Sequence, residues 1–480
     1  MKIDTPYCAC STPPGNSGVA VIRVGGEGAS AVLDGIFTLF RSADDAKTVS
    51  EMRGYTAAFG RIFDPKTGAW IDDVICTCFR APHSYTGEDI FEISCHGGHI
   101  VRQEILRILA ECGARPAEPG EFTKRAFLAG KIDLSQAEAV MDVISAKSER
   151  ALRAAGSQLA GGIRKELLRI SEAVYGEFSA LEMLVEFPEH EAESDPTPLI
   201  ADGLARCRRD LEQLQATFFR GRILREGLTV VLAGIPNSGK SSLLNRVAGY
   251  ERAIVTPGAG TTRDTLDVFV SLAGIPLHLI DTAGLRDSAD EAEQIGVEKS
   301  REAMEESDLL LWLADQEGQD FLPDSAFFRM MQEQAKKREI GVVFSKSDIL
   351  SETILGKRKD ELFRYLEQNG WEADVFLLAP FSSVTGEGLD ALTKAVVSIY
   401  EKKGQDSASE VILTHARHAF SVASAASFLA EAEAVLLSGQ TADMACALLR
   451  SCLDSLGEIT GETVSDELVK QIFSRFCVGK

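Results

Sequence analysis

The chain has 480 residues, of which 45% are hydrophobic and 25% charged, with a formal net charge of −22. Its length predicts two to four domains with real cores, and its acidity excludes a protein that grips nucleic acid over a broad basic surface. No apolar run reaches the ~18 residues of a membrane span, no charged-then-apolar leader opens the chain, and ten cysteines are scattered without a framework, which together predict a soluble protein of a reducing cytoplasm.

Residues 1 to 121 alternate short β-like runs with turns, at 18–24, 71–79 and 90–95, followed by a helix near 100–112. Cys8/Cys10 and Cys76/Cys78 repeat with period two in apolar strands and read as small core residues. Cys95, His96 and His99 read as a strand-to-helix turn, since no C-x-x-C pair accompanies them.

From residue 122 to 221 the pattern turns helical. Ile163, Leu167, Ile170, Val174, Phe178, Leu181 and Val185 recur every three or four residues, which predicts one apolar helix face. Pro188, Pro196 and Pro198 interrupt it before a second helix around 199–219. The basic patches at 206–209, 220–225 and 357–359 read as solvated helix faces or linkers.

Residues 222 to 398 alternate strand and helix, as a parallel nucleotide-binding sheet requires. The apolar run LTVVLA at 228–233 leads into GIPNSGKSS at 234–242, which fits G-x-x-x-x-G-K-[ST] between a strand and a helix. Glycines let backbone N–H groups close around phosphate oxygens, and the helix N-terminus adds positive dipole. Lys240 is expected to reach the β- and γ-phosphates and Ser241 to ligate Mg²⁺, within a loop formed by Asn237, Ser238, Gly239 and Ser242. A second strand, PLHLI at 276–280, runs into DTAG at 281–284. There Asp281 holds Mg²⁺ through water, and Thr282, Ala283 and Gly284 face the γ-phosphate. The stretch GAGTTRD at 258–264 offers Thr262 as a further Mg²⁺ ligand. A third strand leads into SKSD at 345–348, where Asp348 suits the donor edge of guanine and the Lys346 stem its face. After a polar linker at 404–409, helices return over 420–437, 442–456 and 465–476, with Thr441 and Ser465 as N-caps. Helical material on both sides predicts an α/β module inserted into a helical domain.

The chain also resembles the MnmE (TrmE) family of tRNA-modification GTPases. The resemblance rests on ACSTPPG at 9–15, APHSYTGED at 81–89 with HGG at 96–98, PGEFTKRAF at 119–127 running into GKIDLSQAE at 130–138, and the closing CVGK at 477–480. It implies an α/β plus α architecture: a folate-binding α/β domain at 1–121, a split helical domain at 122–221 and 399–480, and an inserted Ras-like GTPase domain at 222–398. It implies an FAD-dependent partner, MnmG, and a carboxymethylaminomethyl or aminomethyl group placed on carbon five of the wobble uridine of certain tRNAs. The one-carbon unit would come from a tetrahydrofolate of 5-formyl or 5,10-methylene type, and the family works as a homodimer. By position, Arg23, Glu88, Lys131 and Lys480 correspond to folate contacts. Asn237, with carbonyls near Thr256, Gly258 and Thr261, corresponds to a potassium site, and Glu293 to the residue that positions water, since Leu285 stands where many GTPases keep a Gln. Cys477 is a candidate reactive thiol.

Two positions depart from the family pattern. Ser345 replaces the usual Asn of the base-binding loop, and Ser382-Ser383-Val384 replaces S-A-K, which predicts weaker guanine affinity with specificity retained through Asp348. Two other readings are an RNA-binding GTPase of ribosome assembly, disfavoured by the acidic appended domains, and a folate-dependent transferase with a vestigial GTPase, which leaves Lys240, Ser241 and Asp281 unexplained.

Overall fold

Period-two burial organises the N-terminal sheet. In the computed structural model, which describes residues 5–186, 195–234, 238–250, 267–281, 303–314, 325–335, 338–349, 351–371, 375–402 and 411–480, Trp70–Phe79 turns Asp72, Val74, Cys76 and Cys78 inward and leaves Ile75 half exposed. The sheet has seven strands: β1 (Tyr7–Cys10), β2 (Ser17–Gly25), β3 (Phe37–Ser42), β4 (Thr56–Phe63), β5 (Trp70–Phe79), β6 (Ile90–Gly97) and β7 (Arg115–Pro116), in the order β3-β4-β5-β6-β2-β1-β7. All pairings are antiparallel except β1 with β7. The helix His99–Glu111 puts Ile105, Ile108 and Leu109 into the same core as Cys8, Cys76, Cys78 and Cys95. Burial pushes these four thiols up, Cys76 to about 12 and the others to about 11; Cys8, Cys76 and Cys78 are the packing groups that their period-two spacing predicted, and Cys95, read as part of a strand-to-helix turn, joins them from β6.

Six further strands are β8 (Leu228–Ala233), β9 (Asp267–Leu272), β10 (Ile275–Asp281), β11 (Leu309–Ala314), β12 (Glu339–Phe344) and β13 (Val375–Pro380), in the order β13-β12-β11-β8-β10-β9. Five are parallel and β9 is an antiparallel edge joined to β10 by a hairpin. All six residues of β11 are buried, as continuous apolar runs in a sheet covered on both faces should be.

The chain divides into two compact units, Met1–Met141 with Gly457–Lys480, and Asp142–Leu456. Within the first, Phe127, Leu134, Phe473 and Phe476 form a local core, and Ser465 caps Asp466–Ser474 by accepting from Leu468 N at 3.3 Å. Within the second, the helix Gly162–Glu186 buries Ile163, Leu167, Ile170, Val174, Phe178 and Leu181, but Val185 of the expected stripe is 37% exposed, because the helix ends one residue later. The second helix is Thr197–Ala216, and a separate helix, Phe218–Glu226, follows it.

Helix Thr197–Ala216 packs along Ala416–Leu437, which lies beyond the α/β module in the sequence, with Arg208 paired to Glu433 at 3.3 Å. Within Ala416–Leu437 an 18-residue window has a mean hydropathy of 1.5, so the helix is long and apolar enough to cross a membrane by length and composition. Glu431 and Glu433 nevertheless interrupt its apolar run, as expected, and it buries His418, Ser421, Val422, Ala425 and Leu429 as a core helix does. Arg208 and Arg209 are occupied by Glu212, Glu433 and the Ala205 carbonyl, as a solvated helix face requires. Where the chain returns from the module, buried Asp142 accepts from Arg225 Nε at 3.0 Å and lies 2.9 Å from His415 Nε2. Burial alone would raise its pKa, but the His415 hydrogen bond and charge and the Arg225 guanidinium hold it below the usual carboxylate range.

Candidate functional site

Two polar constellations stand apart from these cores. The first lies at the C-terminal ends of the parallel strands, where open α/β sheets place ligands. Strand β8 delivers the chain to Gly234, and the helix Lys240–Tyr250 begins at the lysine. Lys240 is 4% exposed; its ammonium donates to the Gly234 carbonyl at 2.8 Å and lies 3.4 Å from Ser238 Oγ. Ser241 Oγ donates to Asp281 Oδ2 at 2.9 Å, which joins the end of β10 to the start of the helix. A hydroxyl and a buried carboxylate so placed form a hard-oxygen pair that fits Mg²⁺.

The base-binding loop arrives from β12. Ser345 is buried, and its hydroxyl donates to the Ala314 carbonyl at 3.2 Å. Its Cβ lies 3.5 Å from the position a Cβ on Gly239 would take, so the two loops are adjacent. Lys346 holds a left-handed backbone, φ 58°, uncommon for a residue with a side chain, and Asp348 is exposed in the turn Ser347–Ile349. Ser382 is buried and its Oγ accepts from the N–H groups of Val384 at 3.2 Å and Thr385 at 3.1 Å, while Ser383 is partly buried beside it. Asn237, Thr256, Gly258, Thr261, Thr262, Thr282, Ala283, Gly284 and Glu293 lie outside the described residues. Sequence reasoning missed Glu387, whose carboxylate accepts from Ser347 Oγ at 2.6 Å; the flanking glycines of TGEG at 385–388 were its one signal.

The second constellation belongs to the N-terminal unit and gathers Arg23, Glu88, Lys131 and Lys480. Arg23 on β2 donates from Nε to Glu92 at 2.8 Å and from Nη1 to the Gly479 carbonyl at 3.2 Å, so the C-terminal tail lies against the sheet. Ser11 Oγ donates to that same carbonyl at 2.9 Å, and Phe122 N donates to the Lys480 carbonyl at 3.2 Å. Glu88 accepts from Arg125 Nη1 at 2.8 Å and from Tyr7 OH at 3.0 Å. Lys131 Nζ donates to the Pro82 carbonyl at 2.5 Å, and its stem lies 3.4 Å from the position of a Cβ on Gly87, next to Glu88. Cys477 is exposed; its carbonyl accepts from Gly120 N at 3.3 Å.

Beneath these groups lies an ion network that the sequence did not announce. Glu121 is 5% exposed and takes Arg115 at 2.9 Å and Arg125 at 3.0 Å. Burial alone would raise its pKa; hydrogen bonds from Arg115, the Glu118 N–H and Arg125 outweigh that and lower it. The Arg125 guanidinium sits 3.9 Å from the centre of the Tyr7 ring, which also packs on Phe122 at 4.9 Å in a tilted arrangement. Burial first, and the Glu88 charge second, push the Tyr7 hydroxyl well above its ordinary pKa. The i, i+4 spacing of Glu121 and Arg125 was the available signal for this network.

The parallel sheet with its strand–loop–helix turn and the Lys240, Ser241 and Asp281 cluster define the class, a phosphate-loop nucleotide-binding protein carrying further α and α/β units. Two family profiles match the chain: GTP-binding protein TrmE N-terminus over residues 6–131, and MnmE helical domain over residues 134–477. The tRNA modification GTPase MnmE of Symbiobacterium thermophilum is 41% identical to this chain, covering 98% of each. That of Moorella thermoacetica is 39% identical over 100% of both chains, and that of Carboxydothermus hydrogenoformans 37% over 100% of both. This chain belongs to the MnmE (TrmE) family. A solved structure of an Aquifex aeolicus Era variant bound to GDP·AlF4⁻ is 26% identical over 36% of this chain and 56% of that one, with a TM-score of 0.28, and adds nothing to the assignment.

Proposed function

We propose that this chain is a GTP-hydrolysing enzyme of tRNA modification. The observation that carries the reading is its alignment, over its whole length, with relatives named tRNA modification GTPase. The Lys240, Ser241 and Asp281 cluster supports the GTPase half, and the ion-paired constellation of the N-terminal unit supports a second site on the same chain.

In the nucleotide half, Lys240 leaves the Gly234 carbonyl for the β- and γ-phosphates. Ser241 and Thr262, with Asp281 through water, would hold a Mg²⁺ ion, which would supply charge neutralisation to the phosphates. Asp348 accepts from the guanine edge while Lys346 stacks on the base, with Ser345, Ser382 and Ser383 shaping the pocket. Asn237 and carbonyls near Thr256, Gly258 and Thr261 would hold a potassium ion, which would supply the charge of an arginine finger, and Glu293 would position water.

In the other half, Arg23, Lys131 and Lys480 suit the carboxylates of a tetrahydrofolate derivative, 5-formyl or 5,10-methylene, and Glu88 the donor edge of a pterin. The product is a carboxymethylaminomethyl or aminomethyl group on carbon five of the wobble uridine, made together with the FAD-dependent MnmG protein. The domain division suited to this work is 1–121 for folate and homodimerisation, 122–221 with 399–480 as the helical domain, and 222–398 as the GTPase, in a cytoplasmic enzyme. Reconstitution tests it: the purified chain, MnmG protein, unmodified tRNA, GTP, methylene-tetrahydrofolate, ammonium and potassium, followed by nucleoside mass spectrometry. Modified uridine that disappears when GTP or folate is left out supports the reading; no modified uridine in the complete mixture contradicts it.

A further inference from the structure

Among the described residues, the residue that opens the base-binding loop, Ser345, donates its hydroxyl to the Ala314 carbonyl, at the end of β11. Yet Asp348 is exposed on a single short turn and needs a fixed direction to read a base. Among the described residues, a tie from this turn to the next loop lies one residue before it. Ser347 is 4% exposed; its N–H donates to the Phe381 carbonyl at 3.1 Å, and its hydroxyl donates to Glu387 Oε2 at 2.6 Å.

Glu387 is aimed by its own loop. The Ser382 N–H donates to the Glu387 carbonyl at 3.1 Å, the Gly386 N–H to the Ser382 carbonyl at 2.9 Å, and the Glu387 N–H to Thr385 Oγ1 at 3.2 Å. Both neighbours are left-handed glycines, Gly386 and Gly388, each with φ +86°. A Cβ on Gly388 would stand 2.0 Å from the Pro380 carbonyl, and one on Gly386 2.6 Å from Arg246 Nη2. The loop is therefore built on glycine on both sides of the glutamate, and its carboxylate is delivered to a buried hydroxyl adjacent to Asp348.

We propose that Glu387 is a specificity-positioning residue: through Ser347 it fixes Asp348 for the 2-amino and N1 donors of guanine. The inference rests on the reading of this module as a guanine-nucleotide site. A hydrogen bond to a charged acceptor at a buried hydroxyl supports an effect of about tenfold.

The test is competition binding of GTP, ITP and ATP to the full chain. ITP lacks the 2-amino group and reports the Asp348 contact separately from general affinity. Glu387→Ala is expected to weaken GTP about tenfold and ITP less, so that the GTP-over-ITP preference shrinks. Ser347→Ala should do the same, the double variant should lose no more than either single one, and Glu387→Gln, which keeps an acceptor oxygen, should restore most of the preference. An unchanged GTP-to-ITP ratio in Glu387→Ala, whatever its overall affinity, overturns the proposal, as do losses that multiply in the double variant. Failure of the underlying reading looks different: the wild-type chain would then bind GTP and ATP alike.

Discussion

The two polar constellations are built in opposite ways. The nucleotide site draws on short contiguous stretches at strand ends, with Lys240 and Ser241 adjacent in the chain and Ser241 hydrogen-bonded to Asp281 at 2.9 Å. The N-terminal site is a network: Glu121 holds two arginines, Arg125 bridges Glu121 and Glu88, and Arg23 reaches a carbonyl 456 residues away. A phosphate loop must change partners at each turnover, as when the Lys240 ammonium leaves the Gly234 carbonyl for a phosphate oxygen. A network of buried ion pairs is costly to open once any member is removed. The first site is thus organised for exchange and the second for rigidity.

The largest expected effect probes that rigidity. Glu121→Ala strands Arg115 and Arg125 without their shared carboxylate, and should cost about 3–5 kcal/mol in the N-terminal unit. Hydrogen-exchange mass spectrometry across residues 115–128 measures it; protection within about 1 kcal/mol of wild type would mean that the network does not hold the unit together. Next, Lys240→Ala should lower GTP turnover about 10²- to 10³-fold without weakening the N-terminal unit, read by phosphate release alongside the same exchange measurement. Loss of protection at residues 115–128 in that variant would erase the contrast between the sites.

Asp142→Asn removes the charge that Arg225 and His415 share and should cost about 1–3 kcal/mol in the second unit, seen as a lower melting temperature. The pH dependence has a definite sign. Asp142 and Glu121 both have folded pKa values below their unfolded ones, so the stability they contribute is present above the usual carboxylate range. It is lost as pH falls through their folded values. Thermal melts should be flat in this contribution from about pH 7 to about 5 and fall below about 4. A melting temperature that rises on acidification would contradict both assignments. The smallest effect is at the surface: Arg208→Ala, facing Glu212 and Glu433 on an acidic helix face, should cost less than about 1 kcal/mol.

The contrast also governs what the sequence revealed. Strand β8, the turn after it and the Asp281 strand were legible because a phosphate loop is a local motif, with glycines, lysine and hydroxyl at fixed spacing behind an apolar run. The helix stripe from Ile163 to Leu181 was legible for the same reason, a period that repeats. The Glu88, Arg125 and Glu121 network was not, since nothing in the local sequence of Glu88 specifies an arginine 37 residues on. Glu387 escaped because its role depends on which loop packs beside it, 40 residues from Ser347. The short strands β3 and β7 carry too few alternating residues to stand out from turns, and in β4 Ala57, Ala58 and Gly60 blunt the alternation.

The central claim is that one chain carries two sites that serve one tRNA modification. The most direct test is nucleoside mass spectrometry of bulk tRNA from cells lacking this chain, complemented with wild type, Lys240→Ala or Glu88→Ala. The account predicts that wild type restores the carbon-five aminomethyl-type uridines, and that each variant fails although both are expressed and folded. Full modification with either variant, or an unchanged profile in cells without the chain, would contradict it.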